Sequence, residues 1–168
     1  MKRSYIRHGL CLSLVAAGLA ALGTLARAEA PDPAAERNAA IVREAFDRWA
    51  AGGSVFDPLL SPELRWTIHG SGPVAGTYDR ESFLEDASIP LVSRLSEPVV
   101  PEVHAIWSVG DTVIVRFDGS GTTTSGAPYE NQFVWIFQME DGLVVEAEAF
   151  LDLVAYDEVV ENNEPLAE

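Results

Sequence analysis

Hydrophobic residues recur with two different periods along this chain, and the change of period divides it. Across residues 34–51, Ile41, Val42, Ala45, Phe46 and Trp49 fall at helical spacing, while Arg37, Arg43, Glu44, Asp47 and Arg48 fill the opposite side. This pattern predicts an amphipathic helix, stopped by Gly52-Gly53. A short helical turn over 56–60, closed by Ser61-Pro62, a short strand over 65–69 and a loop over 70–76 come next. Asp79 is placed to cap a second helix, in which Phe83, Leu84, Ala87, Leu91 and Leu95 share one side. Pro90 kinks or ends it. Beyond it the period is two, predicting strands over 99–109, 112–121, 129–139 and 143–154, with turns at Gly110-Asp111, Ser125-Gly126 and Asp141-Gly142. This order predicts an α+β domain, its N-terminal helices packed on a curved, mainly antiparallel sheet that encloses a cone with one open mouth.

The first 28 residues carry a different signal. Lys2, Arg3 and Arg7 precede an apolar run over 10–25, and Ala26-Arg27-Ala28 fits the small-x-small rule for signal peptidase. The run is short and Ala-rich for a membrane anchor, so the expectation is a cleaved leader and an exported, periplasmic or secreted protein. Residues 29–36 and 161–168 read as solvated tails around a domain over 37–160. Removing the leader takes away four basic residues and no acid. That leaves 7 basic residues against 26 acidic ones, a net charge of −19, with no lysine and no cysteine. Such a charge argues against nucleic acid and anionic membranes as partners. The chain has no CxxC, HExxH or D-x-D-x-D-G pattern, so neither a metal nor another cofactor is expected.

One row of side chains complicates the strand over 129–139. Tyr129, Phe133, Trp135 and Phe137 share a parity with Asn131, and a polar group in an aromatic row points to a lined pocket. Several segments carry a resemblance: Trp49-Ala50-Ala51-Gly52, Leu64-Arg65-Trp66-Thr67-Ile68-His69-Gly70 and Pro73-Val74-Ala75-Gly76-Thr77-Tyr78. Gly126-x-x-Tyr129-x-Asn131-x-Phe133-x-Trp135, Asp141-Gly142-Leu143-Val144 and Phe150-Leu151-Asp152 follow in order. The chain resembles the nuclear transport factor 2-like superfamily, which includes ketosteroid isomerases and SnoaL-like polyketide cyclases, and it resembles the SnoaL-like branch most. The resemblance covers residues 36–160 and implies the cone-shaped fold. It is weak for activity, because the superfamily hosts isomerases, cyclases, dehydratases and non-catalytic binding modules.

The same resemblance places Asp152 at the position of the cyclases' general acid/base. A carboxylate inside an apolar cone suits proton transfer near neutrality. Strict alternation opposes this, since Asp152 shares a face with Glu146 and Glu148 opposite Ala147, Ala149 and Leu151; a bulge would be needed to turn it inward. His69 lies near the position of the isomerases' proton-abstracting Asp, as a second base or a partner of Asp152. Trp66, Tyr78, Tyr129, Asn131, Phe133 and Phe150 are the expected lining, with Asn131 and Tyr78 orienting a substrate oxygen. His104, Arg116 and Asp118 are placed on an exposed edge or outer surface. The glycine-rich loop 70–76 lacks G-x-G-x-x-G and a following Lys-Ser/Thr, so it is no phosphate cradle. Ser71 and Ser125 have no His-Asp spacing of a serine hydrolase.

Three readings stay open at this level. The cone holds a small apolar molecule bearing a carbonyl or hydroxyl and acts as a cofactor-free isomerase, cyclase or dehydratase; or it binds such a molecule without catalysis; or the domain is an interaction module. The last would pair two copies through an outer sheet face carrying Ile114, Val134 and Ile136.

Overall fold

The computed structural model describes residues 32–167, so the expected leader lies outside the described residues. Helix α1 (Pro33–Ala50) forms within one residue of the expected 34–51; Asp32 accepts a hydrogen bond from the Ala34 amide and Pro33 occupies the first turn. Residues 33–36 are therefore helical rather than tail. Ala35, Asn38, Val42, Ala45 and Phe46 face inward, and Gly52 turns the chain out at φ +88°.

Strand β1 (Leu60–Ile68) is longer than expected. Its register shifts between Leu60 and Arg65, around Pro62, which has no N–H to give to a ladder. A short strand β2 (Gly76–Asp79), not expected between the 70–76 loop and the Asp79 cap, pairs antiparallel with it. Asp79 then caps a helical segment in three pieces: α2 (Arg80–Ser82), a π-helical stretch (Phe83–Ser88) and α3 (Ile89–Val92). The Ile89 amide reaches back five residues to the Leu84 carbonyl. Next in line is Pro90, which cannot donate, so the wide turn sits where regular α-helical bonding is interrupted.

The meander follows as predicted: β3 (Leu95–Val109), β4 (Thr112–Thr123), β5 (Pro128–Glu140) and β6 (Leu143–Phe150). The six strands run in the order β2-β1-β6-β5-β4-β3, antiparallel except where β1 lies parallel to β6. Edge strand β3 is irregular at three places, one of them spanning Pro98. Between Gln138 and Met139 the β5–β6 register also slips, so that Val144 rather than Val145 is buried. The inner face presents Val113, Val115, Phe117, Phe133, Trp135, Phe137, Ala147 and Ala149 to α1, and this is the core.

The last strand ends at Phe150, short of the expected Val154, and the chain enters a helix that alternation had hidden, α4 (Leu153–Asn162). Asp152 caps it, its carboxylate accepting from the Val154 and Ala155 amides at 2.9 and 3.3 Å. Leu153, Tyr156 and Val159 are the buried side, and the Tyr156 hydroxyl donates to the Ala87 carbonyl at 2.8 Å, tying α4 to the π-helical stretch. The end of the chain is also held. The Arg94 Nε donates to the Asn163 carbonyl, the Thr124 hydroxyl to that of Glu164, and the Leu166 amide to that of Ser93.

Asn131 holds the junction between β6 and α4. Its amide nitrogen donates to the Tyr129 hydroxyl at 3.1 Å and to the Asp152 carbonyl at 2.9 Å. Its oxygen accepts from the amides of Gln132 and Asp152 at 2.8 and 2.9 Å. Every donor and acceptor of the side chain is thereby used, at 5% exposure. Asn131→Ala leaves the buried Tyr129 hydroxyl without its donor and the junction unpinned, and should cost about 3 kcal/mol. Asp152→Ala removes only a helix cap, about 1 kcal/mol. Urea unfolding of the two variants checks the ranking; equal losses would show that the pin contributes no more than a cap.

Candidate functional site

Between the inner face of the sheet and the 80–92 helical segment lies a cavity of about 300 Å³. Its walls are aromatic and fixed against one another. Trp49 and Trp135 lie parallel, with centroids 5.9 Å apart; Trp66 stacks on Phe83 at 4.1 Å, and Phe56 meets both edge-on. Phe133, Ile68, Val74, Leu91, Ala149 and Leu151 complete the surface. The sequence places these groups by two rules: inward parity on β1, β5 and β6, and the widened turn that brings Phe83, Ala87 and Ser88 to the same wall.

The polar lining is sparse. Ser54 accepts from the Phe56 and Asp57 amides. Tyr156 donates to Ala87, and burial, with smaller contributions from Tyr78 and Asp157, raises its phenol above the ordinary range. Trp66, 1% exposed, has an Nε1 with no hydrogen-bond partner, the sole such buried side-chain atom among the described residues. No carboxylate, imidazole or guanidinium lines the cavity.

Of the residues expected at the site, Trp66 and Phe133 line the cavity. Tyr78 packs against the core behind it and donates to the Val74 carbonyl at 2.8 Å. Tyr129 sits in a second buried cluster with Leu95, Val99 and Val159, where burial pushes its phenol up to about 12. Asn131 is saturated by protein groups, with no donor or acceptor left for a substrate. Asp152 is exposed and bonded to α4, and no bulge turns it inward. His69 and Phe150 lie on the outer face, as their parity requires: the imidazole stacks on the Phe150 ring at 4.5 Å, and its Nε2 lies 2.8 Å from a Glu148 carboxylate oxygen. The structure does not bring Asp152 and His69 together in the cone.

Trp49, Phe56, Phe83, Leu151 and Tyr156 also line the cavity, although nothing in the sequence pattern marks them as lining; Trp135 joins them from the aromatic row of β5. Tyr156 had a usable signal for its helix: with Leu153 and Val160 it falls at helical spacing behind an Asp suited to cap.

The outer face holds the charged groups. Arg65 pairs with Glu146, Arg116 with Asp118, and His104 Nε2 lies 2.9 Å from the other Asp118 oxygen. Hydrogen bonds from His104 and then Arg116 hold the Asp118 carboxyl below its usual range. Of these, Arg116 and Asp118 border a broad polar groove of about 840 Å³ that also takes in Glu130, Gln132 and Asp152. Among the described residues no three His, Cys, Asp or Glu side chains converge as a metal-ligand set.

Known structures share this architecture. An NTF2-like protein from Burkholderia thailandensis E264 is 22% identical, with a TM-score of 0.60 over 73% of this chain and 95% of its own. A candidate SnoaL-like polyketide cyclase from Jannaschia sp. CCS1 is also 22% identical, with a TM-score of 0.59 over 81% and 99%. TerC, co-crystallised with polyporic acid, is 21% identical, with a TM-score of 0.59 over 74% and 98%. At these identities the likeness is one of fold. Among curated proteins none matches the sequence. The model of the SnoaL-like domain matches residues 42–147, more than half of the chain. With the helices, the curved six-stranded sheet and the cone in place, this match shows that the chain belongs to the SnoaL-like domain family, in the NTF2-like fold.

Proposed function

We propose that this SnoaL-like domain is an exported binding module that holds a small, uncharged, largely apolar molecule in its cone, and that it does so without acid–base catalysis. One observation carries the reading: the aromatic cavity has no titratable side chain except Tyr156, whose hydroxyl is already bonded and stays neutral. A proton-transfer enzyme needs a base within hydrogen-bond reach of its substrate. Here both expected bases, Asp152 and His69, serve the helix cap and the outer face. A pre-formed apolar pocket with few polar groups is the general form of a small-molecule site. TerC, which shares the fold, was co-crystallised with polyporic acid.

Three of the four tryptophans, Trp49, Trp66 and Trp135, line the cavity. Tetralin should therefore quench the intrinsic fluorescence saturably, and Ala149→Leu, which fills the floor, should weaken binding at least about tenfold while the melting temperature holds or rises. A linear, non-saturating response would sink the binding reading.

The affinity should also be flat between pH 5 and pH 9. The raised Tyr156 keeps its proton throughout that window, and no other ionisable group touches the ligand space. A bell-shaped dependence in a titration series would instead reveal an acid–base pair in the cone.

A second reading concerns the outer face. Trp107, 54% exposed, pairs across the sheet with Ile114, which pairs with Ile136, giving an apolar strip across three strands. Val134 pairs with the exposed Phe150 beside it. We propose that a second copy of the chain covers this strip. Sedimentation should show a dimer at micromolar concentration that Trp107→Glu dissociates; a wild-type monomer at high micromolar concentration removes this reading.

A further inference from the structure

We propose that residues 163–167 are a strap that holds the mouth of the cone narrow and sets how fast it opens. The inference rests on the cone being the ligand site and adds how a ligand enters and leaves. Four residues of the cavity lining are exposed: Gly53, Ser54, Val92 and Pro98. The mouth therefore lies between the loop after α1, the end of α3 and the start of β3. One side of it is the helical wall, which contributes Phe83, Ala87, Ser88, Leu91 and Val92. This wall lacks a regular ladder of its own. It carries the π-helical turn and Pro90, which has no N–H to give.

The wall is held from outside, by α4 and the residues after it. Tyr156 donates to the Ala87 carbonyl at 2.8 Å. Arg94 joins wall to strap: its Nη1 donates to the Pro90 carbonyl at 2.8 Å while its Nε donates to that of Asn163 at 2.9 Å. The Leu166 amide donates to the Ser93 carbonyl at 2.7 Å, next in the chain to the lining Val92. On its other side the strap is anchored to the β4–β5 turn, where the Thr124 hydroxyl donates to the Glu164 carbonyl at 2.8 Å. The strap itself buries little. Glu164, Pro165 and Leu166 are exposed, and their bonds run through the main chain. Segments held by exposed hydrogen bonds, with few buried apolar contacts, open locally without global unfolding. The strap can therefore release while the sheet stays folded, and its release frees the edge of the wall at Val92.

Hydrogen exchange at low urea concentrations reads the device directly. In the wild-type chain the amides of Ile89, Ser93 and Arg94 should exchange through a local opening, at rates independent of urea, whereas those of β4 and β5 wait for urea-dependent unfolding. A chain ending at Asn162, or Arg94→Met should the shorter chain not fold, should speed the wall amides about tenfold, again without urea dependence. Urea-dependent exchange at the wall would mean that wall and sheet open only together, and unchanged rates in the variant would mean that the strap holds nothing; both overturn the proposal. Stopped-flow tryptophan fluorescence with tetralin then follows the ligand. The shortened chain should bind and release it about tenfold faster and keep the dissociation constant within about threefold, because a mouth open more often raises both rates by the same factor. Faster release with unchanged association would mean a damaged cavity and overturns the proposal. A wild-type chain that takes up no tetralin overturns the binding reading beneath it, while the exchange pattern still decides whether the strap holds the wall.

Discussion

The saturation of Asn131 is the constraint on which the remainder of the cone depends. Two of its four hydrogen bonds reach from β5 to the amide and the carbonyl of Asp152, and the other two hold the side chain to Tyr129 and Gln132. They stop β6 at Phe150 and turn the chain into α4. Without that turn Tyr156 would not reach Ala87, and the π-helical stretch would lose its tie to the far side of the cavity. A polar side chain buried in an aromatic row is tolerated because it is fully paired. Its effect is to fix where a strand ends, which in turn fixes the shape of the ligand space.

The same junction decides the chemistry. A carboxylate that caps a helix has its oxygen pointed at backbone amides and its charge favoured by the helix dipole. Asp152 is in that position, so the features that make it a good cap remove it from the cone. His69 follows from simpler geometry. Trp66 and Ile68 face inward on β1, so the residue after Ile68 faces out and meets Glu148 and Phe150 there. Partition of charge to one face and aromatic surface to the other leaves a cavity suited to hold a molecule and poorly suited to ionise it.

Much of the fold was legible because period and punctuation agreed. The meander, its Gly-containing turns and the Asp79 cap all lie where alternation and turn residues place them. The missed parts share one cause: prolines, bulges and caps change the local rule within a few residues. β1 and β3 begin before their prolines rather than after them. The slip at Met139 reverses the parity of Val144 and Val145. Alternation continued through Phe150 and Leu151, masking the helical spacing of Leu153 and Tyr156. The site was legible only at Trp66 and Phe133. A polar residue at an inward position fits a substrate group and a structural pin equally well in one dimension, and only three-dimensional pairing separates them.

Parity also limits what this cone can become. Glu146, Glu148, Arg65 and His69 occupy outward positions on the two strands nearest the cavity wall, and each is paired or stacked there. The inward positions beside them are Trp66, Ile68, Ala147 and Ala149, with no polar atom apart from the indole nitrogen. Turning an outward carboxylate inward would require a one-residue slip that sends Trp66 and Ile68 to solvent, undoing the aromatic wall. A proton-transfer site on this scaffold would therefore need a carboxylate at an inward position, with its own desolvation offset by a partner. The described residues have neither. Selectivity in this cone is thus left to shape and to its few neutral polar groups.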